Sequence, residues 1–569
     1  MPPPPPSFDS VVLAAVVREI RPLLPLRIGR VLQTAPLEVV FSLRTPGARG
    51  LLLSAHASWF RVHLLQDPVD REALDSFGQL LRARFAGARI TEITQPPYER
   101  VLLLHVEALD GPYVLVAELM GKHANLVLVR DGTVVGAAKV IGPDRSRVRP
   151  VLPHTPYVPP PPDPRPHPGA VTQEGLAEAI QRGQGPLWRR VLHAVSGIGP
   201  LVSYELTSRA FDPESEDTPP NAAERIVAEL LRLDADVREG RFEPRLYEKD
   251  GEPVAYAPFP LRCLRDHLEV ATFMSEAVER VVTHRATQHR REQERRRLLQ
   301  AVDRALENRQ AALREAQQTL DAAQDLPRLR MAGELLLSYA SGISAGQDRV
   351  TLPDYEGHPM EILLDPALNP VQNAQRLFGR YAKLRAAARV LPTRIAALRE
   401  EMDFLSTLRV HVEHARTDED LFELQEELTA AGVLPPSGRR ARVRPTAPPR
   451  AFQVDGFQVL VGRSSRDNDH LTFRVSAPED LWLHARGVPG AHVILRTGGR
   501  TPSPQTVQKA ASIAAYFSAA RTSGAVDVDV VERRWVGKPK GARPGVVLYR
   551  NERTVRVRPE LPGATAAPP

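Results

Sequence analysis

Between residues 377 and 405 apolar positions recur in alternating steps of four and three: Leu377, Tyr381, Leu384, Ala388, Leu391, Ile395, Leu398, Met402 and Leu405. That is the coiled-coil period, and so long an apolar seam needs a second helix against it. The helix should begin near Asn369-Pro370, and Pro392 is expected to kink or interrupt it. Its partner is Ser275–Ala323, whose own seam (Leu298, Val302, Ala305, Ala312, Ala316) is alanine-rich and interrupted by Arg309. The spacing predicts an antiparallel two-helix arm over 271–434, with a small insertion at about 326–368 that holds a strand signal at Glu361–Leu364. The arm starts basic, with Arg285, Arg290, Arg291, Arg295, Arg296 and Arg297. Arginines so closely spaced suit an RNA backbone, although their alternation with glutamate also suits a solvated helix face.

A chain of 569 residues has room for more than the arm. Residues 8–24 carry Val11, Ala14, Ala15, Val17 and Ile20 at helical spacing, with Asp9 or Ser10 as cap. Strand patterns follow at 30–33, 38–43, 51–54 and 60–64. Leu74, Phe77, Leu81 and Phe85 then mark a helix, and strands resume at 89–94, 101–106, 113–119, 126–130 and 134–140. This is an α+β domain rich in antiparallel sheet, spanning 1–168 and ending in the semi-rigid Pro-rich linker 158–168. With 54 prolines in the chain, many must lie in such linkers.

Residues 169–270 read as helical over 176–233, with a hairpin around Lys249-Asp-Gly251. Ser196-Gly-Ile-Gly-Pro-Leu-Val-Ser-Tyr-Glu-Leu206 has the form of a helix-hairpin-helix. Its glycines let the backbone approach a phosphate, and free N–H groups at the next helix start bind one. Gly-Ile-Gly also fits an ordinary helix connection.

A Pro/Arg linker at 435–450 leads to a last domain at 451–559, followed by a tail at 560–569 expected to be disordered. The domain opens as a hairpin over Asp455-Gly456. Helix 506–522 should turn Ala510, Ile513, Ala514 and Phe517 inward, and strands are expected at 526–532 and 546–549. If 480–484 is a strand, Asp480, Trp482 and His484 share an exposed face while Leu481 and Leu483 face the core. Gly487-Val-Pro-Gly490 makes the tight connection to the next apolar run, which contains His492. The same residues also suit a strand end with a half-buried Trp and a His bonded to backbone. Arg533, Arg534, Lys538, Lys540 and Arg543 surround Trp535, a pattern that can neutralise phosphates and stack a base, or form a basic loop anchored by its Trp.

Net charge of +7 favours an acidic partner such as nucleic acid or anionic lipid. A single cysteine, Cys263, excludes an internal disulfide and an all-Cys zinc site. The N-terminal sequence lacks the signal-peptide pattern, and no apolar run reaches the ~20 residues of a membrane span, so a cytoplasmic protein without a membrane partner is expected. No phosphate-binding glycine loop or nucleophile elbow is present, which agrees with the expectation of a positioning protein with no catalysis and no cofactor of its own.

Several motifs fall together in an order that resembles the family of bacterial RqcH and eukaryotic NEMF, the NFACT proteins. NDHLT, DLWLHARGVPGAHVIL, KAASIAAYFSAAR and VGKPKGARPGVVLY resemble the RNA-binding NFACT-R domain. FDSVVLAAVVREI, LLLSAHASWFRVHL, QPPYERVL and ELMGKHANLVLV resemble NFACT-N, and NPVQNAQRLFGRYAKLRAA with EDLFELQEELTAAG resembles the arm. The resemblance implies a multidomain α+β protein: NFACT-N, helix-hairpin-helix, antiparallel coiled-coil arm and NFACT-R. It also implies a ribosome quality control factor that binds the large ribosomal subunit carrying obstructed peptidyl-tRNA and recruits alanine tRNA for template-free C-terminal tailing, the ribosome itself performing the peptidyl transfer.

The family's tRNA-selecting Asp-Arg pair falls on Glu99 and Arg100, with Lys122 and His123 projecting from a nearby turn. Expected RNA contacts in NFACT-R are Asp480, Trp482, His484, Arg486, His492, Arg534, Lys538 and Lys540, and on the arm Arg290, Arg291, Arg295 and Arg296. Glu99 is one methylene longer than the family's Asp. Ala124, Ser464 and Ala491 replace its usual Ser, Asn and Ser. NFACT-N domains also resemble the N-terminal domain of formamidopyrimidine-type DNA glycosylases, which use an N-terminal proline. Here Pro2 lacks the acids that should follow it, and the four-Cys zinc finger is impossible, so that activity is not expected. Two further alternatives are a metal or hydrolytic site at Asp480, His484 and His492, and a fibronectin-binding adhesin, the historical label of some relatives; the missing signal peptide argues against the latter.

Overall fold

The computed structural model describes residues 3–69, 74–146, 149–215, 217–436 and 448–561. It consists of two compact units, Met1–Gln288 and His289–Pro569. Pro2, most of the 435–450 linker (437–447) and most of the tail (562–569) lie outside the described residues.

In the first unit, α1 (Ser10–Ile20) starts at Asp9, whose carboxylate accepts the N–H groups of Val11 and Val12. Strands β1 (Leu26–Ala35), β2 (Glu38–Thr45), β3 (Ala48–Ser54) and β4 (Arg61–Leu65) form one meander. After α2 (Ser76–Phe85), strands β5 (Arg89–Thr94), β6 (Val101–Ala108), β7 (Gly111–Glu118), β8 (Asn125–Arg130) and β9 (Thr133–Ala137) form another. Antiparallel pairing of β1 with β5 joins them into a nine-stranded sheet, β4-β3-β2-β1-β5-β6-β7-β8-β9. Helices α3 (Gln173–Arg182), α4 (Leu187–Ala194), α5 (Pro200–Ala210) and α6 (Ala222–Glu239) follow. A three-stranded sheet of β10 (Arg245–Lys249), β11 (Glu252–Ala257) and β12 (Leu268–Ala271) comes next, and then the 49-residue α7 (Met274–Ala322).

Two expectations about this region change. The arm's first helix is not separate from the N-terminal domain: Met274, Ala277, Val278 and Val281 of α7 are buried in the core formed with Phe8, Val16, Phe41 and Phe85. The segment before residue 168 is not a spacer. Pro166 accepts the Ser196 N–H (2.9 Å), Arg165 donates to the Leu192 carbonyl (2.9 Å), and His167 stacks on Tyr98 at 5.0 Å. Proline fixes the extended backbone, but the side chains and carbonyls between prolines remain free to dock.

In the second unit α7 is followed by α8 (Leu326–Ser338), a hairpin of β13 (Arg349–Pro353) and β14 (Pro359–Leu363), then α9 (Pro370–His414) and α10 (Asp418–Ala430). Asn369 and Gln372 form a reciprocal capping box at the start of α9, as do Thr417 and Asp420 at α10. Side-chain pairs run antiparallel along the helices: Arg290 with Asp418, Asp303 with Arg409, Arg309 with Glu401, and Gly333 against Phe378. Arg309, the apparent break in the seam, thus supplies an ion pair to the facing helix (2.6 Å). Of the nine seam positions none is exposed, and Leu384, Ile395, Leu398 and Leu405 are buried. Pro392 does not interrupt α9; it lies exposed within the helix. The expected insertion is smaller than the sequence suggested. Its first 13 residues are α8, because Pro327 stands in a first turn, where proline starts a helix rather than breaking one.

The chain ends in a six-stranded antiparallel sheet, β15-β16-β18-β17-β19-β22. In order, its elements are β15 (Arg450–Val454), β16 (Phe457–Val461), α11 (Ser465–His470), β17 (Leu481–Ala485), β18 (Val493–Arg496), α12 (Pro504–Tyr516) and β19 (Val526–Glu532). β20 (Val536–Gly537) and β21 (Leu548–Tyr549) form a separate two-stranded sheet, and β22 (Arg553–Val557) completes the six-stranded one. Asp455 (φ 49°) and Gly456 (φ 79°) turn β15 into β16, as a two-residue hairpin requires. Ala510, Ile513, Ala514 and Phe517 pack with Leu483, Val493 and Val528 on one face of the sheet.

Candidate nucleic-acid interface

In the first unit, the turn before β6 and the turn after β7 lie at one sheet end, joined by the bond from the Leu119 N–H to the Arg100 carbonyl (2.8 Å). Arg100 is exposed, its guanidinium 6.0 Å from the centre of the Phe60 ring. Lys122 and His123 project into solvent from the turn Gly121–His123. Among the described residues none of these three has an ion-pair partner, and neither does half-buried Glu99. Ala124 is fully buried, so the usual Ser would not reach a ligand there without a shift of the turn. Below this end Tyr98 is wedged against Gly197 and donates to Asp234 (3.0 Å), and the Asp9 carboxylate accepts the Gly199 N–H at 2.6 Å. The Gly199 amide, which the sequence pattern would offer to a phosphate, is therefore engaged by a carboxylate of this same unit. Burial pushes the Asp9 carboxyl up to about 6 against the opposing pull of those N–H groups and of Arg100.

On α7 the arginines pair with nearby acids. Arg290 and Arg291 reach Asp418 at 3.2 and 2.8 Å, Arg295 and Arg296 share Glu292, and Arg297 takes Glu294. These pairs are solvent-facing, where an ion pair contributes only about 0–1 kcal/mol, so a phosphate can displace the acid at little cost.

In the C-terminal sheet the alternation along β17 is as expected, but the Trp482 face is not exposed. Trp482 is 1% exposed, packed among Leu460, Leu471, Ile494, Val531 and Val536 in a second small core. Alternation assigns the faces but does not tell whether a face is covered; here residues 471–475 and 535–549 cover it. The Trp482 ring lies 5.6 Å from His484, 5.1 Å from His492 and 5.0 Å from Tyr549. His492 shares a hydrogen with the Thr472 hydroxyl at Nδ1 (2.8 Å) and donates Nε2–H to the Gly545 carbonyl (3.1 Å). Burial lowers both imidazoles below their ordinary range, so both are neutral near pH 7. Beside these rings is a cavity of about 350 Å³, also lined by Pro489, Gly545 and Thr407 of α9.

Asp480 must be reassigned. It is 1% exposed, with Oδ1 accepting the Thr497 N–H and Oδ2 the Ala477 N–H, both at 2.8 Å. It holds two loops, is closed to RNA by its burial, and does not line the cavity that His484 and His492 share, so the metal or hydrolytic triad does not assemble. Among the described residues no three His, Cys, Asp or Glu side chains are grouped to hold a metal ion. Arg486 is exposed, bonded to Thr554 and 3.9 Å from Asp529; Arg534 pairs with Glu532, and Lys538 with Asp469. Lys540 is exposed and has no ion-pair partner among the described residues. Arg533 turns inward to the Thr472 carbonyl (2.7 Å), and Arg543 lies 5.2 Å from the Phe404 ring of α9.

The sequence reading missed Asn468, which donates to His411 of α9 (3.3 Å) and accepts the His492 N–H (3.0 Å), and Tyr549, which donates to Asp529 (2.8 Å). Both lie in quoted motifs, but nothing local marks their long-range partners. Ser464 caps α11 by accepting the Asp467 N–H, a task an Asn performs equally well.

The family model for NFACT N-terminal and middle domains matches residues 9–446, and that for the NFACT protein RNA binding domain matches residues 450–551. The chain is 28% identical to the Rqc2 homolog RqcH of Bacillus subtilis, covering 97% of this chain and 98% of that protein. It is 31% identical to the Rqc2 homolog RqcH of Streptococcus suis, with the same two coverages. The solved C-terminal part of the fibronectin/fibrinogen-binding protein from Streptococcus suis is 30% identical, over 48% of this chain and 96% of that one; at a TM-score of 0.36 it carries no weight for the fold. Among the described residues no helix is long and apolar enough to cross a membrane. The chain belongs to the RqcH family of NFACT proteins, with that family's RNA-binding domain at residues 450–551.

Proposed function

We propose that this chain is a ribosome quality control factor that binds the large ribosomal subunit carrying an obstructed peptidyl-tRNA and recruits alanine tRNA for template-free C-terminal tailing. The observation that carries this reading is the likeness to RqcH proteins over 97% of the chain, in both the N-terminal and the RNA-binding parts. The side chains without ion-pair partners at one sheet end of the first unit support it: Arg100, Lys122 and His123, with Glu99 beside them, hold tRNA. A planar guanidinium over an aromatic ring suits a phosphate or a base edge. Arg290, Arg291, Arg295 and Arg296 exchange their acid partners for ribosomal RNA phosphates, Arg534 and Lys538 do the same on the RNA-binding domain, and Arg486 and Lys540 add further cations there. The protein positions its substrates, and bond formation belongs to the ribosome.

Affinity purification of the tagged full-length chain from its own cells, followed by sequencing of bound RNA, tests this. Large-subunit RNA enriched together with alanine tRNA, the tRNA lost in Arg100→Ala, is the expected result. Neither RNA above background would overturn it.

A further inference from the structure

Four neighbouring strands of the first unit, β3, β2, β1 and β5, carry a row of arginines on the sheet face turned away from the core. Arg27 of β1 is in register with Arg89 of β5. Ile28 pairs with Leu43 and Thr45 with Ala48, so Arg44 of β2 falls beside Arg27, and Arg49 of β3 beside Arg44. All four are exposed, while Leu26, Ile28, Leu43, Ala48, Ala88 and Ile90, next to them in sequence, are buried in the core. Side chains alternate along a strand, so the four guanidinium groups share the solvent face.

Like charges opposite each other on neighbouring strands are destabilising. Elsewhere in this sheet an acid relieves such a cluster, as Asp110 does for Arg84 and Arg130 at the turn between β6 and β7. Among the described residues none of the four guanidinium groups has an ion-pair or hydrogen-bonding partner, and Glu107, in register with Arg89 on β6, makes no ion pair with it. The fold thus keeps an unfavourable alignment that an anion from outside relieves. Neighbouring strands are about 4.8 Å apart, so the row spans about 14 Å. One strand of a nucleic-acid helix carries about four phosphates over that length. No apolar side chain stands in the row. The exposed Leu109 of the turn between β6 and β7 is a single side chain, not the apolar face with which an element lies on a bilayer.

We infer that Arg27, Arg44, Arg49 and Arg89 grip the phosphate backbone of an RNA stem, and that this stem belongs to the tRNA held at Arg100. Arg89 lies opposite Glu107, at the other end of β6 from Arg100, about 24 Å away at ~3.4 Å per residue. That is the length of about seven base pairs, so one stem reaches both ends of the sheet. The inference rests on the tRNA reading of Arg100 and deepens it: the N-terminal domain holds the tRNA at two separate places.

The test is filter binding of alanine tRNA to the full-length chain, titrated from about 50 to 200 mM salt, for the unmodified protein, R27Q/R89Q and R27K/R89K. Each phosphate contact contributes about 0.7–0.9 to the slope of log affinity against log salt, so R27Q/R89Q should lower the slope by about 1.4–1.8. R27K/R89K keeps both charges and should keep the slope. In urea, R27Q/R89Q should unfold at an unchanged or slightly higher midpoint, because a repulsive pair is removed. R44Q/R49Q, on the next two strands, gives a second and independent reading of the same slope. An unchanged slope in both glutamine variants overturns the inference, and so does a slope that falls only together with the unfolding midpoint. Arg100→Ala in the same assay separates the row from the reading it rests on. If Arg100→Ala weakens tRNA binding and the glutamine variants do not, the row alone fails; if the unmodified chain retains no tRNA, the tRNA reading fails with it. Loss of pelleting with large ribosomal subunits or with phosphatidylserine vesicles in R27Q/R89Q, at an unchanged tRNA slope, would assign the row to those partners and overturn it.

Discussion

Arg100 and Asp9 lie close together in the first unit, yet their roles oppose each other. Arg100 is exposed and unpaired, so Arg100→Ala should change unfolding free energy by less than about 0.5 kcal/mol while removing tRNA from purified complexes. Asp9 is buried, caps α1 and accepts the Gly199 N–H, so Asp9→Ala should cost about 2–3 kcal/mol in denaturant unfolding, a lost cap plus a charge-assisted bond. Its folded pKa, about 6, lies above the 3.8 of an ordinary Asp, so the folded state holds more protons between those values. On its account stability rises as pH falls through that window, and Asp9→Ala should remove this slope. The sequence placed Asp9 as a cap but gave no sign of Gly199, some 190 residues away, because a cap is a local pattern and its second acceptor position is not. For the same reason Trp482 was assigned its face correctly and its exposure wrongly: alternation is local, while the cover comes from residues 535–549.

At the scale of elements, the helix pair was the most legible part, because its period is a steric requirement repeated over nine positions. Leu398 is 1% exposed on that seam, so Leu398→Ala should lower stability of the second unit by about 2–4 kcal/mol in urea unfolding. The arginines of α7 behave differently. Arg295→Ala and Arg296→Ala, both paired to half-buried Glu292, should each change stability by at most about 0.5 kcal/mol and weaken large-subunit binding with a shallower salt dependence. Loss of stability without loss of binding would assign them to the helix face alone. Helix α8 and strand β22 were not legible. Pro327 resembles a breaker unless its place in a first turn is known, and Arg553–Val557 is five residues of alternation beside a tail, too short to stand out.

For the molecule as a whole, acid stability depends on buried histidines. Burial holds His63 and His411 down to about 3 and His414 to about 4, far below 6.5. A group depressed in this way contributes stability that is complete above pH 6.5 and lost as pH falls towards 3, at up to about 1.4 kcal/mol per pH unit for each histidine. Unfolding midpoints should therefore drop between pH 7 and pH 5, and His411→Gln should flatten the dependence of the second unit. The organisation into an N-terminal part, helical arm and RNA-binding domain was readable because several motifs of one family occur in order; the cavity was not, because its walls come from two separated stretches, 482–492 and 545–549, and from α9. The central claim, that this chain brings alanine tRNA to an obstructed large subunit, is tested most directly by reconstitution. Purified full-length protein is mixed with large subunits carrying a peptidyl-tRNA and with alanyl-tRNA, and the nascent chain is weighed by mass spectrometry. The account predicts successive additions of alanine that require the protein and fail with Arg100→Ala. A nascent chain of unchanged mass, with the protein absent from the subunit fraction, would contradict it.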